Sequence, residues 1–162
     1  MRVTLIRHAE AGDDAPRDES RALTVRGRTD ARRLGRALAR RGVRFTLMIT
    51  SPLVRAVQTA EIVAAEVGYR GRMSADDALE PEAAASGVVA LLARLPGEKS
   101  VALVAHEPIL SAVAAALLHK PRYPSLRKAE ALRIRLADGP TKEGSLRWRV
   151  DGGTGKRERL TR

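Results

Sequence analysis

Short apolar runs alternate along the chain with segments whose apolar residues recur at helical spacing. Continuous apolar runs are typical of buried strands, and alternating ones of half-buried strands. They predict strands at residues 3–6, 47–50, 72–73, 101–105, 131–136 and 146–150. Helical spacing predicts helices that begin after Thr24 and at Ser51-Pro52, and two more at 88–95 and 108–118. This order predicts an α/β fold, a three-layer α/β/α sandwich with a mostly parallel central sheet.

The chain length favours one domain. Its 162 residues suffice for a sizeable core, and no internal repeat or linker divides them. We expect a single domain over residues 1–150 and a loose, basic tail over 151–162, which is rich in glycine and arginine. No apolar run approaches a membrane span of about 18 residues, and no secretory signal is recognisable at the N-terminus. A cytoplasmic location is therefore expected.

Composition excludes several classes of site. The absence of cysteine rules out disulfides, thiolate catalysis and cysteine-bound metal. The net charge of +11 suits an anion-binding protein, but arginine-rich, alanine-rich composition also accompanies a GC-rich genome. Aromatic residues make up only 2% of the chain, whereas nucleic-acid surfaces usually interleave basic and aromatic side chains. Nucleic acid is therefore an unfavoured partner.

Two histidines and two arginines occupy equivalent positions in the predicted sheet. Arg7 and His8 end the first strand, and His106 ends the strand at 101–105. Arg55 falls in the first turn of the helix after the second strand, where backbone N–H groups already attract anions. Because carboxyl ends of parallel strands meet at one edge, these side chains are expected to converge. Two arginine forks would match a tetrahedral dianion.

This arrangement predicts phosphoryl chemistry without a metal or other cofactor. A neutral His8 imidazole can attack phosphorus in line and form a covalent phosphohistidine. His106, if protonated, can donate to an equatorial oxygen in the transition state. The alternative is a zinc site in which Glu10 or Glu107 joins the two histidines. Neighbouring arginines would repel the metal, so that alternative is disfavoured.

Four segments together resemble the histidine phosphatase superfamily, the phosphoglycerate mutase-like family. They are Arg-His-Ala-Glu at 7–10, Arg-Ala-Leu-Thr with a following glycine at 21–27, Ser-Pro-Leu-Val-Arg-Ala-Val-Gln-Thr-Ala at 51–60, and Val-Ala-His-Glu-Pro at 104–108. The short chain, with no room for a helical lid between residues 69 and 88, is most similar to the phosphohistidine phosphatase SixA branch.

The resemblance implies roles for individual residues. His8 would be the nucleophile, with Arg7, Arg55 and His106 completing the phosphate pocket and Arg21 as a further possible phosphate contact. The glycine that usually follows Arg-His is Ala9 here, and its methyl group is tolerable where φ is negative.

A general acid is the open question in this branch. Glu80 is the best candidate, ahead of Glu82 and Asp77, although each is equally consistent with a solvated loop carboxylate. The SixA branch is thought to lack a dedicated acid. An imidazole leaves a phosphoramidate more easily than an alkoxide leaves an ester, so a missing acid would cost little on phosphohistidine and about 10²–10⁴-fold on an alkyl ester.

The favoured function is thus a phosphatase acting on phosphohistidine in a protein domain. A phosphatase of small phosphate esters is the first alternative, and a non-catalytic module binding phosphate or nucleic acid is the second. No sequence feature specifies an oligomer, so a monomer is the default expectation.

Overall fold

The computed structural model describes residues 1–154 and the backbone of residues 157 and 158. The strands are β1 (Arg2–Arg7), β2 (Leu47–Thr50), β3 (Met73–Ala75), β4 (Ser100–Ala105), β5 (Glu130–Arg135), β6 (Ser145–Asp151) and β7 (Arg157–Glu158). The helices are α1 (Val25–Arg40), α2 (Val54–Val67), α3 (Ala85–Ala93) and α4 (Ile109–Leu117). Short 3₁₀ turns lie at Asp18–Ser20 and Asp77–Leu79.

The strands form one sheet in the order β3-β2-β4-β1-β5-β6-β7. β1 lies at its centre, parallel to β4 and antiparallel to β5. The pairs β2–β4 and β2–β3 are also parallel, and β6 and β7 add antiparallel neighbours. Five of these seven described strands, all but β5 and β7, therefore point the same way. The carboxyl ends of β1, β2 and β4 consequently meet at one edge, which confirms the predicted α/β class.

Two helical layers cover the sheet. On one face α1 and α2 pack with Ile6, Met48 and Val104 of the strands. On the other face α3 and α4 pack with Val3, Leu5 and the neighbouring strands. Residues 3–6 of β1 are buried on both faces of the strand, which is the physical reason why three of these four residues are apolar.

The residues predicted to cap α1 and α2 can be compared with the observed helix starts. The Thr24 side chain accepts a hydrogen bond from the backbone N–H of Gly27, as expected of the residue that caps α1. The predicted cap at Ser51 is wrong: α2 begins at Val54, after Leu53. The Ser51 hydroxyl accepts from the Leu53 N–H and also contacts His106, so it connects the turn before α2 to the His106 ring.

The segment between α2 and α3 contains one short strand and one 3₁₀ turn in the described structure, and no helical lid. None of the described helices combines the length and apolar character of a membrane span.

The expected tail from residue 151 is described only in part. Residues 152–154 form a turn, and Arg157–Glu158 pair with β6. Residues 155–156 and 159–162 lie outside the described residues, so the domain boundary at 150 stays a prediction.

Candidate active site

The predicted four side chains lie at the carboxyl edge of the parallel strands. His8 directly follows β1 and His106 directly follows β4, and their ring centroids are 5.0 Å apart. Arg7 is the last residue of β1, and Arg55 is the second residue of α2. Both imidazoles and the Arg55 side chain are buried. The sheet topology therefore brings residues almost a hundred positions apart into one pocket.

His8 is held in one tautomer. Its Nδ1 is 2.7 Å from the carbonyl oxygen of Ala9, and a carbonyl can only accept, so Nδ1 carries the proton. The lone pair of the neutral ring is then on Nε2. This is the arrangement that an imidazole nucleophile requires.

Burial keeps both histidines neutral. Desolvation, with further contributions from the positive charges of Arg55, Arg7 and Lys128, lowers the pKa of His8 to about 4, although the Ala9 hydrogen bond opposes the shift. Desolvation and then proximity to His8 and Arg55 lower the pKa of His106 to about 3. At neutral pH the His8 lone pair is available without loss of a proton.

Three buried side-chain polar atoms have no hydrogen-bond partner among the described residues, and two of them belong to this pocket. They are Nε of Arg7 and Nδ1 of His106, and the third is Oγ1 of Thr4. The other end of Arg7 is held, since its Nη1 donates to the carbonyl of Leu126 at 2.6 Å. Buried polar groups are almost always satisfied, so the two orphaned nitrogens in one pocket indicate a polar ligand.

Arg55 contacts a residue that sequence reasoning missed. Its Nη1 donates to the carbonyl of Asp18 at 2.7 Å, and its Nη2 to the Asp18 carboxylate at 2.9 Å. The guanidinium has five N–H donors, so three remain for a ligand. Hydrogen bonds from Arg21 and then Arg55 lower the pKa of Asp18, which is therefore ionised at neutral pH. Only its position in a polar loop before Arg21 could have drawn attention to it.

Arg21 lies behind Asp18. Its Nη1 donates to Asp18 at 3.0 Å, Nε donates to the Gly12 carbonyl at 2.8 Å, and Nη2 pairs with Asp13. Arg21 therefore reaches Arg55 through the Asp18 carboxylate. Direct contact between Arg21 and phosphate stays a prediction.

The rest of the Ser-Pro-x-x-Arg-x-x-Gln-Thr segment has a structural role. The Thr59 hydroxyl donates to the Arg55 carbonyl at 2.7 Å and accepts from the Ala9 N–H at 3.0 Å. The Gln58 side chain accepts from the Leu23 N–H at 2.8 Å. The first turns of α2 thus support the backbone that follows His8. Ala9 is not among the residues with positive φ, so its methyl group fits without strain.

A loop before β5 completes the pocket, and the sequence did not reveal it. The Leu126 carbonyl accepts from Arg7, and the N–H of Ala129 donates to the His8 carbonyl at 3.2 Å. Lys128, between them, is exposed and adds positive potential near His8. The carboxylate of Glu107 fixes this loop by accepting from the Leu126 N–H at 2.9 Å.

The carboxylates suggested as general acid or metal ligand have different surroundings in the structure. Glu80 follows the 3₁₀ turn beyond β3, at the same sheet edge, but in the described structure its carboxylate forms no hydrogen bond with the pocket. Its catalytic role stays a prediction. Glu107, the suggested zinc ligand, has both carboxylate oxygens engaged by Leu126 and Ser111. Within the described residues no three His, Asp or Glu side chains are grouped as metal ligands.

The neutral histidines lead to a prediction for the pH dependence of the free protein. Because both pKa values are lowered, protonation should begin only well below the ordinary value near 6.5, with the His8 ring titrating near pH 4. NMR chemical shifts of the imidazole protons, measured between pH 3.5 and 8, would follow the protonation of each ring directly. A bound oxyanion should raise the pKa of His106, since negative charge favours the imidazolium. Titration of His8 near pH 6.5 in the free protein would contradict its desolvation.

Comparisons with known proteins agree with this geometry. Residues 3–81 match the histidine phosphatase superfamily (branch 1). An uncharacterised protein from Picosynechococcus sp. is 35% identical over 143 residues, which cover 83% of this chain and 85% of that protein. The chain belongs to the histidine phosphatase superfamily. The chain is also similar to the mitochondrial serine/threonine-protein phosphatase Pgam5 of Drosophila persimilis, with 40% identity over 67 residues. That match covers 41% of this chain, and the chain spans only 23% of the Pgam5 protein.

Solved structures place the chain near one branch of the histidine phosphatase superfamily. The protein histidine phosphatase SixA in complex with tungstate superposes with a TM-score of 0.90 at 26% identity, covering 96% of this chain and all of that one. A chain from Agrobacterium tumefaciens described as a SixA phosphohistidine phosphatase gives a TM-score of 0.74 at 26% identity, covering 85% of this chain and 95% of that one. The predicted resemblance to the SixA branch is thereby confirmed.

Proposed function

We propose that this protein is a phosphohistidine phosphatase that works through a covalent phosphoryl group on His8 and needs no metal. The observation that carries the proposal is the state of the two histidines. The Nε2 lone pair of His8 is free because Nδ1 binds the Ala9 carbonyl, and a second imidazole lies 5.0 Å away, centroid to centroid. The SixA relative binds tungstate, a tetrahedral oxyanion, which is consistent with a phosphate pocket.

In the first step the Nε2 lone pair of His8 attacks phosphorus. A bond forms between Nε2 and phosphorus while the bond from phosphorus to the substrate nitrogen breaks, and that nitrogen takes a proton from solvent. The Arg7 and Arg55 forks bind the phosphoryl oxygens and offset their charge, the role that magnesium has in other phosphoryl-transfer enzymes. Water then hydrolyses the phosphohistidine, releasing orthophosphate and restoring neutral His8.

His106 can stabilise this transition state as a neutral donor. Its Nε2 is 2.9 Å from the hydroxyl of Ser51. When that hydroxyl donates to Nε2, the ring proton is on Nδ1, which is the nitrogen that has no partner among the described residues. A protonated His106, the alternative considered from sequence, is unnecessary in the free protein because its pKa is about 3.

The substrate assignment follows from leaving-group chemistry. The pocket has two imidazoles and two arginines, and the Glu80 carboxylate forms no hydrogen bond with them in the described structure. An imidazole leaving group requires less assistance from an acid than an alkoxide does. The described chain also has no helical lid over the pocket, so a protein surface can approach. A phosphorylated protein domain is accordingly the favoured partner.

A direct comparison of substrates tests this proposal. We expect hydrolysis of a phosphohistidine-bearing protein domain to exceed hydrolysis of alkyl phosphate esters by about 10²–10⁴-fold in kcat/KM. A variant with Glu80→Gln should show the same preference, because no acid is required. Efficient turnover of small esters and none of the phosphoprotein would contradict the proposal. That result would favour a small-ester phosphatase with the same nucleophile.

Asp18 provides a test of the phosphate pocket itself. The Asp18 carboxylate accepts a hydrogen bond from Arg55, the residue that would also bind the incoming anion. Its negative charge should therefore oppose anion binding. Asp18→Asn keeps an oxygen that can accept from Arg55 and removes the charge. We expect the inhibition constant of tungstate to fall roughly fivefold, which corresponds to about 1 kcal/mol for unit charges 4 Å apart in water.

The matched control is Asp13→Asn, since Asp13 binds the same Arg21 but does not contact Arg55. It should change tungstate inhibition far less. Weaker inhibition in Asp18→Asn would show that the carboxylate mainly orients Arg55 and would contradict the expected effect of its charge.

A further inference from the structure

A second basic site lies at the opposite edge of the sheet. A cleft of about 1070 Å³ is bounded there by the starts of β1 and β4, the end of β5, the start of β6 and the segment after α1. The strand rise of about 3.3 Å per residue puts Arg2, at this edge, about 20 Å from His8. The cleft is therefore separate from the proposed catalytic pocket.

Among the residues that the structure describes, seven cationic side chains line this cleft against one acid, Glu98. Arg41 and Arg44 come from the segment after α1, and the strands and the β4 entry contribute Arg2, Lys99, Arg133, Arg135 and Arg147. The five cations of the strands and the β4 entry form no ion pair within the described part of the chain. The field inside the cleft is consequently strongly positive.

The arrangement includes features that are unfavourable without an anion. Arg133 is only 6% exposed, yet it has no carboxylate partner among the described residues. It is held by a hydrogen bond to Ser100 at 2.8 Å and by the ring of Trp148, whose centroid is 5.7 Å away. Arg2 and Arg135 are directly opposed on neighbouring strands. A buried unpaired cation and opposed like charges both destabilise a fold.

We propose that this cleft binds an oligophosphate, a chain of linked phosphate groups either free or carried by a nucleotide. Arginine forks match tetrahedral oxyanions bidentately, and here they come from several strands around one concave surface. At about 1070 Å³ the cleft is large enough for such a ligand.

A nucleic-acid strand fits this surface less well. Single-stranded nucleic acids are usually bound by successive bases stacking on aromatic side chains. Trp148 is the only aromatic residue among the described residues that line the cleft, and the guanidinium of Arg133 lies over its ring. Recognition of linked phosphates, without a series of stacked bases, is the chemistry that these residues support.

The single tryptophan of the chain makes binding directly measurable. Inorganic tripolyphosphate should change the fluorescence of Trp148 in the full-length protein, and calorimetry should give the same dissociation constant. The response should persist in Arg55→Met, which removes an anion ligand from the catalytic pocket. ATP in place of tripolyphosphate distinguishes a nucleotide from a free oligophosphate: tighter ATP binding indicates a nucleotide, and equal or weaker ATP binding indicates that the phosphates suffice.

Charge reversal tests the location. Arg135→Glu combined with Arg147→Glu changes two exposed cleft residues, and we expect tripolyphosphate affinity to fall roughly tenfold or more. The matched control, Arg32→Glu combined with Arg70→Glu, makes the same charge change at exposed positions outside the cleft. It should alter affinity less than about twofold. Phosphatase activity should be unchanged in the cleft variant, since these residues are remote from His8.

Several results would overturn the oligophosphate site. One is a calorimetric titration without binding at millimolar tripolyphosphate. Others are loss of binding in Arg55→Met, or equal weakening by the cleft and control variants. Tighter binding of a single-stranded oligonucleotide with three phosphates than of tripolyphosphate would instead assign the cleft to nucleic acid.

Discussion

Replacing His8 with asparagine is expected to lower kcat/KM for a phosphohistidine substrate by about 10⁴-fold or more. Asparagine retains a short N–H donor that can reach the Ala9 carbonyl, as Nδ1 does in the histidine. It has no counterpart of Nε2, so the group that attacks phosphorus is lost while the local hydrogen bond can be kept. The variant should also accumulate no acid-labile phosphoryl group when incubated with a labelled phosphodonor.

His119→Asn is the matched control for this substitution. His119 is exposed at the end of α4 and adopts a positive φ of 48°, a backbone conformation that asparagine tolerates better than most residues. This variant should keep full activity and full labelling on His8. Substantial activity in His8→Asn, with a folded protein by circular dichroism, would exclude His8 as the nucleophile.

Replacing Arg55 with lysine is expected to lower kcat/KM by about 10²–10³-fold, the usual cost of removing one preorganised donor from an oxyanion site. Lysine keeps the positive charge but loses the planar fork. In the structure that fork binds Asp18 through two nitrogens and still has donors for phosphate. The loss should appear in the affinity for tungstate as well as in kcat, since the ground state also contacts the fork.

The control for Arg55→Lys is Arg36→Lys on the outer face of α1. Arg36 is exposed and its Nε donates to Glu66 at 3.1 Å, so it is an arginine–carboxylate contact without a link to the pocket. We expect less than about a twofold change in kcat/KM, because exposed pairs contribute little. Unfolding by denaturant should be similar in both variants, since Asp18 is largely exposed and is not left as a buried charge. Retention of full activity in Arg55→Lys would show that charge alone suffices at this position.

Together these variants separate two uses of arginine in one chain. At the proposed catalytic edge the Arg55 side chain is buried and held by Asp18, and the Thr59 hydroxyl donates to the Arg55 backbone carbonyl, so the geometry of this arginine matters. Arginines on the outer face of α1 are exposed and contribute charge to the surface. The arginines behind the high net charge thus have different roles. We predict a ligand only for those that lie in concave sites.

Local sequence was sufficient for six of the seven described strands, most helices and the central residues of the site, whereas β7 lies in the segment predicted to be a loose tail. β1 and β4 were predictable because both faces of each are buried, which favours apolar residues at successive positions; Thr4 is the one polar residue within 3–6 and 101–105. The histidines could be placed since they directly follow those strands. The start of α2 was misplaced, because the sequence put Pro52 at the first helical position whereas the helix begins at Val54. The Ser51 hydroxyl lies before the helix and contacts both His106 and the Leu53 N–H.

The sequence by itself determined the α/β class, the family and the residue types that phosphoryl transfer needs. Tertiary structure alone decided which partners hydrogen-bond to those residues. These partners are Asp18 for Arg55, the Leu126 carbonyl for Arg7, and Ser51 for His106. It also gathered strand-end arginines into a cleft far from the histidines. The physical reason is that hydrophobic periodicity records burial along one element, whereas a hydrogen bond between side chains depends on where separate elements end in space.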